Sequence, residues 1–528
     1  SMGDFDGAKL ALEAALEIRR RELPAGDKGV AEAAHNLAFV LHETGLYDQA
    51  EPLYREALAI QRATDGPDHL ETAAIEFNLA WMIGQADDPE EAAELLQHVI
   101  QVRSQEGDPR QLAFAQIALA IALIEQGNAS RAAFPLLQAQ ARLSMMEGDR
   151  DLTHAAFQFC WGLIKPIGAE TNFREALAAV ERSLGPDHIY SGFAHYLLGR
   201  HLAELGRDEE ALTHFERCWQ VAREQIELRH PRIVFLAQDH GEVLTRLGRR
   251  SEAHLRWQEF LEAQDEAFGL ASSRSADAWY AYGLFCRQRS ERSTRRDALR
   301  LATERYQKAD LETLSRRTVS NYENAWYWLG VSYTETAERA EAEQAFARSI
   351  SLLERRLAES GALEPDDLYL IAERATNLAR DGKTAQAEEH LTAWRERVLA
   401  IGTGSSQMRR EAWEKFHRSE VIAAALADDF TAALARSRLL RSHLKADADS
   451  LFDLGHLVAG IADRAVTQQS APEAQALRDY SWELLEEAAA AGFEDLERIR
   501  LSANLKHRLE DPRLLQIFPA LGAAAPDR

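Results

Sequence analysis

The chain has 528 residues, of which 46% are hydrophobic and 28% are charged, and its formal net charge is −24. This length predicts several domains or a long repeat array. The negative charge argues against nucleic acid or an anionic membrane as the main partner, because phosphate binding gains its affinity from basic surfaces. No apolar run reaches the roughly 18 residues of a membrane-spanning helix, so we expect no membrane span.

A helical pattern recurs from the start of the chain. Ala50, Tyr54 and Ala57 lie four and then three residues apart, which places them on one helical face. The same arrangement occurs forty-two residues earlier from Ala8 and forty-two residues later from Ala92. A second helix, rich in small and apolar residues, precedes each copy from Ala50 onward, often with glycine at the turn. We call the two helices of a unit A and B, and we predict a row of antiparallel A–B pairs.

The most complete unit lies in the second half of the chain. Its pattern is Trp-x-x-Leu-Gly-x-x-Tyr followed by a small and an aromatic residue in helix B, carried by Trp326, Leu329, Gly330, Tyr333, Ala342 and Phe346. This pattern resembles the tetratricopeptide repeat. The 42-residue units, in which Gly-Pro-Asp-His follows helix B at 66–69 and 185–188, resemble its kinesin-light-chain subclass. The resemblance implies an all-α superhelical solenoid of helix hairpins with C-terminal capping helices.

The small residue of each B helix can serve as a marker of the repeat. This marker predicts twelve B helices and eleven complete A–B pairs. The markers are Ala8, Ala50, Ala92, Ala132, Ala176, Ala211, Ala253, Ala298, Ala342, Ala387, Ala433 and Ala476. The short step from Ala176 to Ala211 predicts either a shortened loop or a misplaced marker at Ala176.

The chain divides into five segments along this repeat. We expect a half repeat with helix B only at 1–22, regular repeats at 23–265, an irregular repeat with an arginine-rich loop at 266–320, divergent repeats at 321–490 and a C-terminal cap at 491–528. A half repeat leaves the apolar face of its helix uncovered. We therefore expect either that the chain was cut from a longer protein or that a divergent start was trimmed.

Three stretches interrupt the pattern. Proline in Lys165–Gly168 should stop an A helix early, Arg287–Arg300 should form a positive loop, and Gly402–Ser406 should form a flexible connection. The arginine run could meet an acidic or phosphorylated partner, or it could be a solvated loop neutralised by nearby acids. The tail is similar to the endings of tetratricopeptide regions attached to bacterial serine/threonine kinases.

Motifs for catalysis and metal binding are missing from the sequence. It has no phosphate-binding loop, no His-Glu-x-x-His and no Gly-x-Ser-x-Gly turn. His69 and His188 share one loop position, where capping or packing explains them better than a metal does. Cys160, Cys218 and Cys286 lack metal or redox spacing, so we expect buried thiols in a cytoplasmic protein. We predict that the chain is not an enzyme and needs no cofactor.

In the family that the sequence resembles, the A helices line a groove that holds the partner. The groove positions fall six, three and two residues before, and one residue after, the small residue that follows leucine in each A helix. The predicted groove residues are Glu32, His35, Asn36, Phe39, Phe77, Asn78, Trp81, Phe193, Tyr196, Arg200, Phe235, Gln238, Asp239, Tyr327 and Trp328. Asn36 and Asn78 share one register, so their amides could grip an extended peptide backbone or could bond a neighbouring helix.

The groove residues favour a protein or peptide as the partner. Capture of a C-terminal carboxylate is disfavoured, because it needs basic groove residues and Arg200 stands alone. We expect an internal segment with apolar anchors or basic charge. Three hypotheses stay open: the docking or sensory region of a larger bacterial signalling protein such as a serine/threonine kinase, the sensor of a nucleotide-driven switch or transcription regulator, and an effector enzyme with an unrecognised site in 266–320. The sequence does not indicate the oligomeric state.

Overall fold

The structure is a computed structural model in which the regular structure of the described residues is helical, without strands. The described residues are 5–86, 89–145, 152–164, 168–226, 228, 230, 233–289, 291–309, 314, 316–360, 363–401, 407–444, 447–502, 504–505, 508–509 and 511–522. The chain forms two compact units, Ser1–Phe285 and Cys286–Arg528. No helix among the described residues is both long enough and apolar enough to cross a membrane.

The described residues of unit 1 form thirteen complete helices and most of a fourteenth. They are α1 (Phe5–Glu22), α2 (Lys28–Glu43), α3 (Tyr47–Asp65), α4 (Leu70–Ala86), α5 (Pro89–Glu106), α6 (Pro109–Glu125), α7 (Ala129–Ser144), α8 (Leu152–Ile164), α9 (Ala169–Leu184), α10 (Ile189–Glu204), α11 (Asp208–Ile226), α12 (Ile233–Arg246), α13 (Arg250–Phe268) and α14 (Ser273–Gln288). Six A–B pairs, from α2–α3 to α12–α13, pack side by side.

Unit 2 continues the same alternation of helices. Its helices are α15 (Arg292–Tyr306), α16 (Arg316–Glu335), α17 (Arg339–Ser360), α18 (Pro365–Arg380), α19 (Thr384–Ile401), α20 (Gln407–Leu426), α21 (Phe430–His443), α22 (Ala448–Thr467), α23 (Ala471–Ala490), α24 (Leu496–Leu501) and α25 (Pro512–Ile517), followed by a short 3-10 helix, Pro519–Gly522. Four A–B pairs, from α16–α17 to α22–α23, pack within this unit.

Glycine closes many of the turns between helices A and B. After α2, Gly45 has a φ of 74°, and the N–H of Leu46 donates to the carbonyl of Leu41 at 2.7 Å. This bond satisfies one of the carbonyls that a helix leaves unpaired at its C-terminus, and it requires a left-handed residue that glycine supplies without strain. The turn after α16 adopts the same backbone with Ala337 at a φ of 61°, so the turn does not strictly require glycine.

The buried small residue sits at the fourth position of most B helices. Eight predicted markers lie there and are almost fully buried: Ala50, Ala92, Ala132, Ala211, Ala253, Ala342, Ala387 and Ala433. The small residue lets helices A and B approach closely, and an aromatic side chain four residues later fills the space beside a glycine of helix A. A Cβ added at Gly199 would lie 2.9 Å from the Phe215 ring, and one at Gly330 would lie 2.7 Å from the Phe346 ring.

Three markers were placed wrongly from the sequence. In α9 the equivalent residue is Ala169 rather than Ala176, because Phe173, which faces Gly162, lies four residues after Ala169. In α23 Ala474 is buried whereas Ala476 is only half-buried. In α9 the two alanines lie two turns apart on the same buried face, so the sequence pattern alone could not tell which of them is the marker. The short step after Ala176 was therefore a misplaced marker.

The third wrong marker lies in the arginine run. The fourth position of α15 is Arg295 rather than Ala298, and the Arg295 side chain is buried. Its guanidinium donates to Glu335 Oε2 at 2.5 Å, and Arg296 donates to Glu338 at 2.8 Å. The expected arginine-rich loop is wrong for 292–300, which are helical, because arginine is a good helix former, and Glu335 of α16 and Glu338 in the turn after it supply the opposite charges.

The end of the chain covers the last A–B pair of unit 2. Leu505, Leu514 and Phe518 are buried, and the Phe493 ring stacks on Phe452 with centroids 4.0 Å apart. This confirms the expected capping element, which a solenoid needs to shield its last apolar face. The predicted breaks at 165–167 and 402–406 lie outside the described residues. The three cysteines are free and buried, as predicted.

Candidate functional site

Two pairs of predicted groove residues form side-chain hydrogen bonds between A helices of successive repeats. The Asn78 amide of α4 donates to His35 Nε2 of α2 at 2.8 Å. At the equivalent positions, Tyr196 of α10 donates through its hydroxyl to Asp239 Oδ2 of α12 at 2.9 Å. Burial lowers the pKa of His35, which keeps its ring neutral and able to accept. These side chains therefore hold neighbouring repeats together.

The two asparagines of the predicted amide ladder differ. Asn78 is half-buried and committed to His35. Asn36 is exposed and makes no side-chain hydrogen bond within the described part of the chain. Exposed Glu32, one turn before, accepts from the Arg19 guanidinium at 2.9 Å. Of these two asparagines, only Asn36 therefore has a side-chain amide that is available to bind a ligand.

Phenylalanine is exposed on three A helices of unit 1. Phe39 on α2 is 46% exposed, Phe193 on α10 is 40% exposed and Phe235 on α12 is 44% exposed. Phe39 lies one residue after the small residue of its helix, and the other two lie six residues before theirs. These positions are the ones that the bonds between A helices leave open.

Contacts distant in sequence bring α2 to α10 and α12. The Tyr47 hydroxyl, just after α2, lies 3.3 Å from Nε2 of His230, just before α12. Tyr190 on α10 keeps 48% of its surface exposed, and its pKa is raised to about 12 by partial desolvation first and then by the negative charge of Glu43 at the end of α2. Within unit 1, the last turn of α2 therefore approaches the first turns of α10 and α12. Phe39, Phe193 and Phe235 lie within about one turn of these contacts.

Carboxyl groups accompany the exposed phenylalanines. Burial raises the pKa of Glu43, and burial raises that of Asp239 although the Tyr196 hydroxyl opposes it. A cation placed near these carboxyls would favour their ionised forms. Arg200 lies with its guanidinium 5.9 Å from the centroid of the Tyr196 ring and 3.9 Å from Glu204, while Gln238 is exposed. The surface around the phenylalanines is thus better suited to basic than to acidic ligands.

Other predicted groove residues belong to the packed interior. Phe77 is buried under the Arg103 guanidinium, 4.8 Å from its ring centroid, and stacks on half-buried Trp81. In unit 2, Tyr327 is buried, and the Arg287 guanidinium lies 3.8 Å from the centroid of the Trp328 ring. Phe77 and Tyr327 offer a ligand little surface.

The repeated histidines cap helices. His188 Nδ1 accepts from the Tyr190 N–H, and His69 Nδ1 accepts from the Glu71 N–H, both at 3.2 Å. Asp65 and Glu71 lie close enough to His69 to ligate a metal ion, but Lys28 Nζ already lies 2.6 Å from Asp65. The capping role predicted for these loops is confirmed.

The sequence pattern missed Tyr190, Glu43 and the contact between Tyr47 and His230. Tyr190 lies three residues before Phe193 on the same helical face, and this spacing was a usable signal. The contacts of Glu43 and Tyr47 join positions more than 140 residues apart, so no local pattern could reveal them.

The architecture is that of a helical-repeat protein built from pairs of antiparallel helices. The family model described as "Tetratricopeptide repeat" matches residues 29–105 and 166–224. These segments are tetratricopeptide repeats, so the resemblance of the sequence to that repeat is confirmed. Such repeats serve in interactions between proteins. A comparison with curated proteins gives no match.

Several solved structures share the helical repeat. Kinesin light chain TPR-like repeats of Podosopora anserina are 18% identical, with 42% of this chain and 87% of that chain covered and a TM-score of 0.24. BtubC from P. vanneervenii is 18% identical over 48% of this chain and 94% of that one, with a TM-score of 0.33. A Rap protein complexed with Competence and Sporulation Factor is 13% identical over 80% and 99%, with a TM-score of 0.33. These low TM-scores say nothing of this chain's partner.

Proposed function

We propose that the A-helix face of unit 1 binds a segment of a partner protein that carries apolar anchors and positive charge. The exposed phenylalanines Phe39, Phe193 and Phe235 carry this proposal, because solvent-facing aromatic side chains that no core requires are typical of binding surfaces. The contacts between α2 and the starts of α10 and α12 place these residues in one region of the unit. In this proposal the chain is a scaffold and not an enzyme.

The carboxyl groups near these phenylalanines favour a positively charged partner segment. Glu43 and Asp239 have raised pKa values because burial disfavours their ionised forms. A lysine or arginine of the partner would pair with them, whereas an acidic segment would be repelled. The net charge of −24 adds a long-range attraction for basic segments.

A peptide-display selection on the full chain tests this function. We expect the selected peptides to combine aromatic or aliphatic residues with lysine or arginine. Their affinity should fall at least tenfold on the double variant F193S/F235S and should not change on the control L205S, which alters an exposed leucine at the turn after α10. Peptides that bind F193S/F235S as well as the wild type would move the site elsewhere.

The two asparagines separate binding from stability. Asn36→Ala should weaken the selected peptides several-fold and leave the melting temperature unchanged, because the Asn36 side chain is exposed. Asn78→Ala should lower the melting temperature, because the His35 ring then loses its partner. If N36A and N78A behave alike in both measurements, the assignment of separate roles is wrong.

We further propose that the chain is the docking or sensory region of a larger cytoplasmic signalling protein, such as a bacterial serine/threonine kinase. The resemblance of the tail to kinase-attached repeat regions supports this. Sequencing the complete gene tests this proposal. A kinase catalytic domain encoded in the same reading frame would support it. An ATPase or DNA-binding domain would favour the switch or regulator instead.

A further inference from the structure

The outer face of helix α7 is apolar. Phe134, Leu137, Ala141 and Met145 follow at steps of three, four and four residues, so they form one stripe along the helix and its C-cap. All four are exposed, with exposed fractions of 69% for Phe134, 50% for Leu137 and 85% for Met145. We call these residues the α7 stripe. It presents three turns of apolar surface to solvent on a strongly acidic chain.

Two other B helices of unit 1, α5 and α11, are polar at the equivalent positions. These positions lie two, five, nine and thirteen residues after the buried alanine at the fourth place of each helix, which is Ala132 in α7. In α5 they hold Glu94, Gln97, Gln101 and Gln105, and in α11 they hold Thr213, Glu216, Gln220 and Glu224, all exposed. The repeat fold therefore does not require apolar side chains there. The α7 stripe has the character of an interaction surface.

The α7 stripe also lies where the chain departs from its family. The two segments that match the tetratricopeptide model end at 105 and resume at 166. Helices α6, α7 and α8 fall between them. This part of unit 1 keeps the helix pairing but not the family's sequence pattern, and it is where the outer face turns from polar to apolar.

The charges beside the stripe are positive and unpaired. Arg131 and Arg142 lie along one edge of the stripe, and α7 has no acidic residue. Within the described ranges neither guanidinium has an acidic or hydrogen-bonding partner, and Nε of Arg142 is buried without one. By contrast, Arg55 on α3 and Arg174 on α9 donate to glutamates at 2.8 Å. The stripe thus offers both apolar contact and charge-assisted hydrogen bonds.

We propose that the α7 stripe docks an amphipathic helix of a partner protein whose apolar residues recur at three- and four-residue steps and whose edge is acidic. An apolar stripe of this spacing accepts the side chains of a second helix between its own. The acidic edge of the partner would pair with Arg131 and Arg142. A second copy of this chain fits less well, since α7 offers those arginines no carboxylate and two chains of net charge −24 repel.

The two binding surfaces proposed for unit 1 therefore have opposite charge preference. The A-helix face favours a basic segment, and the α7 stripe favours an acidic helix. This difference lets one set of probes test them separately.

The test uses a labelled synthetic helix of about three heptads with leucine at the a and d positions and glutamate beside them. A matched peptide carries lysine in place of glutamate. Fluorescence anisotropy should show that the glutamate peptide binds the wild-type chain. Its affinity for F134E/L137Q should be at least tenfold lower than for the wild type. This variant installs the residue types found at Glu94 and Gln97 of α5, so the helix should stay folded, as circular dichroism can verify.

Two further variants probe charge and position. R131Q/R142Q should weaken the binding of the glutamate peptide several-fold. It should also reduce the ratio between the affinities of the glutamate and lysine peptides. The control L255E changes an exposed leucine at the equivalent position of α13, where no apolar stripe follows, and it should bind like the wild type. F193S/F235S should also bind like the wild type, so that failure here and failure of the proposed function are distinguishable.

Four results would overturn the proposal. They are no binding of the glutamate peptide to the wild type, equal binding to the wild type and to folded F134E/L137Q, no preference for glutamate over lysine, and a wild-type dimer in sedimentation that F134E/L137Q dissociates. The last result would identify a second copy of the chain as the occupant of the stripe.

Discussion

His240 is an unpaired imidazole in the core of unit 1. It lies on α12 immediately before Gly241 and is fully buried, and among the residues that the structure describes neither of its ring nitrogens has a hydrogen-bond partner. Its ring lies 6.0 Å from the Phe215 ring and 5.8 Å from the Trp219 ring, measured between centroids. Burial lowers its pKa to about 3, and the positive charges of Arg256 and Arg249 act in the same direction. The folded chain therefore holds His240 neutral.

Replacement of His240 by leucine should stabilise the protein. A buried polar group without a partner costs about 1–3 kcal/mol, and leucine avoids this cost at the same site. We expect a gain of about 1–2 kcal/mol at pH 7.5, after allowance for imperfect packing. The gain should grow in acid. Between pH 6.5 and about 3 the unfolded chain binds a proton at His240 and the folded chain does not.

The size of the acid effect follows from this difference in proton binding. Each pH unit inside the window lowers the free energy of unfolding of the wild type by up to about 1.4 kcal/mol. The free energy of unfolding of H240L should therefore exceed that of the wild type by about 2 kcal/mol more at pH 5 than at pH 7.5. The effect is lost above pH 6.5, where both states hold His240 neutral.

Hydrogen exchange of α12 and α13, read by mass spectrometry at pH 7.5 and in acid, is the appropriate assay. It reports local stability, which global unfolding of a repeat array does not isolate. The H443L variant removes an exposed histidine and controls for loss of an imidazole as such. Equal protection of α12 in H240L and the wild type at both pH values would refute the reasoning, as would a variant less stable than the wild type.

Three other substitutions test the packing and the polar contacts. Gly330→Ala should lower the free energy of unfolding in urea by about 1–3 kcal/mol, because its Cβ would lie 2.7 Å from the Phe346 ring. Tyr196→Phe should cost about 1 kcal/mol and raise the pKa of Asp239 further in an NMR titration, because that carboxyl loses its donor. Arg356→Met should cost about 3–5 kcal/mol at pH 8 and less at pH 5, because it strands two buried carboxylates whose pKa values burial already raises.

Each substitution has a contradicting outcome. Gly26→Ala places its Cβ in open space, so G330A and G26A of equal stability would contradict the close packing of helices A and B. An unchanged pKa of Asp239 in Y196F would show that the hydroxyl does not stabilise the carboxylate. A loss in R356M that is as large at pH 5 as at pH 8 would mean that lost packing, not stranded charge, explains it.

The repeat could be predicted from the sequence alone. Small and aromatic residues at steps of four and three define a helix face wherever they occur, so eight B-helix markers, the cap and the family could all be predicted. The turn glycines and the capping histidines His69 and His188 were also predictable, because their roles depend on residues only a few positions away. These features depend on residues that are close together in the sequence, so the spacing of residues is enough to predict them.

Which residues remain available to a partner depends on how the helices pack against one another. His35, Asn78, Tyr196 and Asp239 share the register of groove residues, yet they bond one another across repeats. Arg295 occupies a small-residue position because Glu335 lies opposite it. Such pairings depend on which helices become neighbours, and a single helical period does not contain that information.

The exposure of the two proposed surfaces was decided in the same way. Spacing alone does not distinguish a buried from an exposed phenylalanine. Phe77 and Phe235 were both predicted to line the groove, yet Phe77 is buried and Phe235 is exposed, and the exposure of Phe134 follows only from the packing of α7. The approach of Tyr47 to His230 joins residues 183 positions apart, and it follows from the stacking of successive pairs, not from any one of them. The sequence defined the repeating unit, and the packing of the units determined which residues face a partner.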